Sequence, residues 1–406
     1  MIVRFLLILV AFATFSGIES VAQTSRLVPW RDYPQRRSYE PMPVLCVHGI
    51  GSDSVETWPI GVNILSNYFS TTYYWQGASQ VSRQRANQPG AAYVETFDYG
   101  VYGDPTIVTT HGHEQTFDTI RSNAWDGVYQ TSVNGCITLR TRISNVRDKY
   151  TLANGTRPNI TLLAHSMGGI VAHYYLCRAE EDGVDLGVAR LITLGTPHYG
   201  STIPNWQRQV NSAAGGRAAL MRPLQQHSME YFLQYCAGFY ERDAWNFVHY
   251  ANPPVNQPEK GGMTDMSYHV PYAGNIVPFL RNPLIPYFQT HPVAGDVEYV
   301  VNSFTVPILS IQMLKNLGIS MVRLLDSNIP FLEAFGDGIV PTFSQEGRAL
   351  PGSDPDIYMG MNFLQGAVIR PVIYSGWKHI HMGEAQVGQA LLYTATEISA
   401  HNCAIY

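Results

Sequence analysis

At 406 residues the chain is longer than an average single domain, yet it fits one α/β domain that carries insertions. Hydrophobic residues make up 45% and charged residues only 14%, which supports a large core and excludes a disordered chain. A net charge of −5 with no basic run gives no footprint for a phosphate backbone, so no nucleic-acid partner is expected.

Residues 1–22 read as a secretory signal: Arg4, an apolar block from Phe5 to Phe15, then the small residues Ser20 and Ala22. That block is shorter than the ~20 residues a membrane span needs. Later apolar stretches are broken by Pro, Lys or Arg, so the remaining 23–406 is expected to be secreted, with no transmembrane span. Cys46, Cys136, Cys177, Cys236 and Cys403 are an odd count for an oxidising compartment, which leaves one thiol unpaired. Cys46 is the choice, because it lies in an apolar strand where a small thiol packs well. The connectivity of the other four stays open.

A polar lead-in ends at Pro41, and 43–47 reads as a buried strand that runs into His48-Gly49-Ile50-Gly51. A helical pattern begins near Trp58 with Ile60, Ile64 and Leu65, and 93–99 alternates like a strand after a loop at 82–90. His111-Gly112-His113-Glu114 holds ligand-type residues without a third anchor, so these read as surface residues and no metal is expected. Ile137, Leu139, Ile143 and Val146 suit a helix. Asn154 and Asn159 each open a glycosylation sequon, and Asn154 is the better loop candidate.

Ile160 to Leu163 then make a short apolar, partly β-branched strand, followed by Ala164-His165-Ser166-Met167-Gly168-Gly169 and a helical face of Ile170, Val171, Tyr174, Tyr175 and Cys177. Small residues two before and two after Ser166 permit a tight strand-to-helix reversal that would present its hydroxyl over the sheet edge. Strand alternating with helix predicts an α/β class with a doubly wound, mostly parallel sheet and right-handed crossovers.

Another strand at 190–195 stops at Gly195-Thr196-Pro197-His198. Beyond it two insertions are expected, at about 204–266 and 275–332, separated by a strand over Ser267–Ala273. In the second, Ile308, Ile311, Leu314, Leu317, Met321 and Leu324 recur at helical spacing, an amphipathic helix over 306–325. A helix packed on the core and a mobile lid whose apolar face meets lipid fit that stripe equally. Asp337 follows in Gly336-Asp337-Gly338-Ile339-Val340-Pro341, and a strand over 368–374 leads to Gly376-Trp377-Lys378-His379-Ile380-His381-Met382.

A serine hydroxyl attacks an ester only with an imidazole to take its proton and a carboxylate to hold that imidazole. The chain order Ser166, Asp337, His379 supplies all three, and His381 is the alternative base. Together, the elbow, the His48-Gly49 loop, the Gly195-Thr196-Pro197-His198 segment and the Asp337 loop resemble the secreted serine lipase and esterase branch of the α/β-hydrolase family. By motif the resemblance spans 43 to 392, and it is weak between about 200 and 330. It implies an α/β-hydrolase fold with helical cap or lid insertions, and an oxyanion site made from the backbone N–H groups of Ile50 and Met167. It also favours His379 as base, through the spacing from His379 to Met382, and leaves His48, His165 and His198 to orient loops.

The function expected is hydrolysis of lipid (acylglycerol) esters at a lipid–water interface through an acyl-enzyme, with no cofactor. The same triad would serve a carboxylesterase, phospholipase, thioesterase, acyltransferase or polyester depolymerase. A catalytically dead domain used for binding is the reading from another class, since fold alone never proves chemistry.

Overall fold

The computed structural model describes residues 39–58, 61–63, 65, 94–99, 119–126, 138–151, 155–201, 284–291, 297–305, 337, 339–340, 342–347, 372–375 and 403–405, with single positions between 204 and 266. The leader, His111 to Glu114, Asn154, Ser267 to Ala273, the helix expected at 306–325, and His379 with His381 all lie outside the described residues.

Six parallel strands form the main sheet in the order β3-β2-β4-β5-β6-β7. They are β2 (Val44–Val47), β3 (Val94–Phe97), β4 (Ile160–His165), β5 (Val188–Leu194), β6 (Glu298–Thr305) and β7 (Val372–Ser375). Every residue of β2 and β4 is buried, as expected for strands covered on both faces by crossover helices. A separate antiparallel ribbon joins β1 (Tyr39–Pro41) to β8 (Cys403–Ile405).

Helix α1 (Ser54–Thr57) is a single turn after the His48-Gly49 loop. Helix α2 (Leu139–Lys149) starts where Thr138 accepts a hydrogen bond from the Thr141 amide at 3.2 Å, and it buries Leu139, Ile143 and Val146. Helix α3 (Met167–Glu181) is apolar on nearly all sides: twelve of its fifteen residues are buried, so it packs as a central helix and not as a surface one. Helix α4 (Leu284–Thr290) lies along it, with Phe288 stacked on His173 at 4.3 Å and Tyr287 on Tyr174 at 5.0 Å between ring centroids.

Two expectations change. Glu298–Thr305 lies within the stretch expected as a second insertion, yet it is the fifth strand along the sheet, hydrogen-bonded between β5 and β7. That part of 275–332 is therefore scaffold and not cap. Cys177 joins Cys46 as a buried free thiol, and burial pushes both thiols well above the usual range, so neither is a ready nucleophile.

Chain direction explains where a site can form. From β2 the chain passes to β3 on one side and then returns to β4 on the other, so the loops after β2 and β4 diverge across a crevice at their carboxyl ends. Ligands of open parallel sheets bind at such switch points.

Candidate active site

Ser166 stands in that crevice. Its backbone adopts φ 53° and ψ −129°, and it is the sole residue other than glycine with positive φ among the described residues. Such a conformation costs on the order of 1–3 kcal/mol and persists only where its surroundings enforce it. Here the enforcement is visible on both flanks. The Ser166 amide donates to the Leu194 carbonyl at 2.9 Å, which extends the β4–β5 ladder to the turn, and the Gly169 amide returns to the Ser166 carbonyl at 3.0 Å. Ser166 occupies the helix N-cap, where serine commonly bonds the first turn, but its side chain makes no capping bond.

The glycines around it are required by contact. A Cβ on Gly168 would come within 2.5 Å of the His48 carbonyl, and one on Gly169 would overlap the Thr196 side chain. From the other side Gly49 packs on Ser166, since a Cβ there would sit 2.8 Å from Ser166 Cβ. The His48-Gly49 loop and the serine turn are thus in direct contact, with Ile50 half-buried and Met167 buried at the first helical position.

Asp337 is fully buried. Its Oδ1 accepts the Ile339 amide at 3.0 Å and the Val340 amide at 2.9 Å, closing a turn around the carboxylate. This acid loop, with helix α5 (Thr342–Gln345), is bound to the segment that follows β5. Ser201 Oγ donates to the Ile339 carbonyl at 2.7 Å, Ser344 Oγ to the Gly200 carbonyl at 2.7 Å, and the Tyr199 amide to Ser344 Oγ at 2.9 Å. Asp337 is therefore carried at the same sheet end as Ser166. Strand β7 also ends there, at Ser375, four residues before His379.

His198 is buried beside Thr193, and burial drives its pKa down to about 3, which makes it a poor base. Burial, and then neighbouring His198, likewise push the His173 pKa well below its usual range. Asn159 is exposed just ahead of β4. No group of three metal-ligating side chains occurs among the described residues.

A pair that sequence reading passed over is His48 with Asp98. His48 Nε2 lies 3.4 Å from Asp98 Oδ1, and Asp98 also accepts the Ser54 amide and the Ser54 hydroxyl, each at 2.6 Å. Burial works to raise the Asp98 carboxyl, but the bond and charge from His48 and the two bonds from Ser54 outweigh it and hold the carboxyl below its usual range. Parallel pairing of Val47 with Phe97 brings the next residues of both strands side by side. Strand register was the signal that would have found the pair.

A family profile described as a PGAP1-like alpha/beta domain matches residues 136–212, the segment from α2 through the elbow to the loop after β5. With the parallel six-stranded order and the serine turn at its switch point, the architecture is decided. The fold is that of the α/β-hydrolases. No curated protein matches this chain in sequence. Among solved structures, lipase 1 from Pelosinus fermentans is similar at 15% identity and a TM-score of 0.44, over 88% of this chain and 98% of that one. A highly thermostable carboxyl esterase from Bacillus coagulans, in complex with glycerol, is similar at 12% identity and 0.39, over 89% and 91%. Phospholipase PlaB from Legionella pneumophila is similar at 12% identity and 0.38, over 75% of this chain but only 45% of its own length.

Proposed function

We propose that this α/β-hydrolase is a secreted serine ester hydrolase that acts on lipid esters, acylglycerols first among them. The observation that carries the reading is the backbone of Ser166, a strained turn whose energetic cost is expected where a side chain must be presented for chemistry. In the proposed reaction Ser166 Oγ attacks the ester carbonyl carbon while the His379 imidazole takes its proton. Asp337 orients that imidazole and stabilises its cation. The carbonyl oxygen becomes an oxyanion facing the amides of Ile50 and Met167. His379 then returns the proton to the departing alcohol, and water, activated by the same imidazole, releases the acid and restores Ser166.

No helix among the described residues is long and apolar enough to cross a membrane. The test is a chain-length series of p-nitrophenyl esters with Ser166→Ala as control, together with labelling by a fluorophosphonate. Hydrolysis that vanishes in the variant while its circular dichroism is unchanged, with the label on the peptide that contains Ser166, is the expected result. Label on another serine would move the nucleophile. A rate that falls steadily beyond butyrate would favour a carboxylesterase.

A further inference from the structure

The loop that follows β2 makes two opposed demands on Gly49. No side chain fits there, since a Cβ would come within 2.8 Å of Ser166 Cβ. Yet glycine is the residue whose φ and ψ are least restricted, so close approach by itself leaves the Ile50 amide loosely aimed. The end of β3 supplies the missing restraint. Val47 pairs with Phe97, which brings Asp98 and Tyr99 alongside the loop. The Tyr99 hydroxyl lies 2.8 Å from the His48 carbonyl oxygen, and a carbonyl can only accept, so the hydroxyl donates. Gly168 of α3 closes on the same oxygen from the elbow, where a Cβ would come within 2.5 Å of it. The Tyr99 ring is buried, and it meets Phe97 edge-on at 4.9 Å and His48 at 4.6 Å between centroids. Burial, and then the Asp98 charge, push the hydroxyl well above its usual range, so it keeps its proton and stays a donor. At the far end of the loop Asp98 accepts the Ser54 amide and the Ser54 hydroxyl, each at 2.6 Å.

We infer that Tyr99 and Asp98 clamp the oxyanion loop at its two feet, and that the Tyr99 hydroxyl is a positioning group for the Ile50 amide. This rests on the ester-hydrolase reading and on Ile50 as an oxyanion donor. The peptide unit between His48 and Gly49 is planar, so holding its oxygen fixes the whole unit. Only φ and ψ of Gly49 then separate that plane from the Gly49–Ile50 peptide, and contact with Ser166 narrows both. A donor aimed before reaction needs no reorganisation as charge develops on the substrate oxygen. Removing the hydroxyl takes a partner from a buried carbonyl and lets the plane tilt, which carries the Ile50 amide with it. Tyr99 acts through the loop and not on the substrate, so its loss is felt in the transition state, where the oxyanion exists, more than in binding of the ester.

The test compares the whole protein with Tyr99→Phe on p-nitrophenyl butyrate and on the matching thiono ester, in which sulfur, a weak acceptor, replaces the carbonyl oxygen. Tyr99→Phe should lower kcat on the oxygen ester about tenfold with KM within about twofold, less than the hundredfold or more that loss of a whole donor commonly costs. The thiono ester should lose much less, so the preference for oxygen over sulfur shrinks by nearly the same factor. Ser54→Ala, which releases one bond at the other foot, should move rate and preference in the same direction by less. Val94→Ala removes buried volume from the same strand away from the loop and is the control for stability alone. It should lower the melting temperature and leave kcat and the preference as in wild type. The inference is overturned by an unchanged kcat in Tyr99→Phe, by equal losses on the two esters, or by the same shift in preference in Val94→Ala. If Tyr99→Phe does not fold, Ser54→Ala decides on the same readout. An inactive wild type whose Ser166 takes no fluorophosphonate overturns the ester-hydrolase reading and the role of the clamp with it, whereas an active, labelled wild type with any of the three overturning results removes the clamp alone.

Discussion

Gly49 packs directly against Ser166, with no room for a Cβ on the side that faces it. Gly49→Ala must displace either the loop or the serine, and misplacement by about 1 Å commonly costs on the order of 100-fold in rate. Expected is a fall of that size in kcat/KM and in the rate of fluorophosphonate labelling, with the unfolding midpoint within a few degrees of wild type. Full labelling speed would mean that the loop can retreat and that its contact with Ser166 is incidental. The base is tested at the same scale. His379→Ala should lower kcat by several orders of magnitude and His381→Ala far less, while wild-type activity should rise with loss of an imidazole proton near the usual value of about 6.5. The reverse order of losses would transfer the role of base to His381.

At the scale of elements, strands were legible wherever they are buried on both faces. The runs around Val44–Val47, Ile160–His165 and Val188–Leu194 are mostly apolar because each is covered by helices above and below. Glu298–Thr305 was not, since it begins with Glu298 and ends in Asn302-Ser303 before Phe304, and apolar Ser267–Ala273 competed for its place. Ser166 was legible because its turn demands small neighbours at fixed offsets. The pairing of His48 with Asp98 was not, because it depends on which strand lies beside β2 and in what register, and residues fifty apart carry no local signature of that. The amphipathic stripe at 306–325 is tested as an element too. If it is a lid, activity on a long-chain ester should jump once substrate exceeds its solubility. Ile311→Ser with Leu314→Ser should blunt the jump and spare a soluble butyrate ester, because an apolar stripe is exposed at a cost of roughly 25 cal/mol per Å2 in water but not in oil. Equal losses on both substrates would make it a core helix.

Across the whole molecule, Asp265 joins parts of the chain that are remote in sequence. Its carboxylate accepts the Ile120 amide at 2.8 Å, ahead of the π-helical turn Ser122–Asp126, while the next residue, Met266, accepts the Ser201 amide at 2.8 Å. Burial raises the Asp265 carboxyl to about 6, partly offset by the Ile120 bond. A carboxyl whose folded pKa exceeds its unfolded value penalises the native state above the folded pKa, and the penalty disappears as pH falls towards about 4. Asp265→Asn keeps an acceptor for Ile120 and should therefore raise unfolding free energy at pH 8 by up to about 3 kcal/mol, with no gain at pH 4. A loss of stability at pH 8 would show that the charge itself is needed there.

The β1–β8 ribbon sets a clock. Tyr39–Pro41 pair with Cys403–Ile405 across about 360 residues of intervening chain, whereas β2 to β4 are joined by much shorter crossovers. During synthesis the central strands can assemble before β8 is made, and β1 must wait for Cys403–Ile405 to emerge. At a few residues per second that wait is on the order of a minute. Closing so long a loop late, for three pairs of residues, makes the ribbon the natural place for the native protein to open first, and its amides should exchange with deuterium well before those of β4.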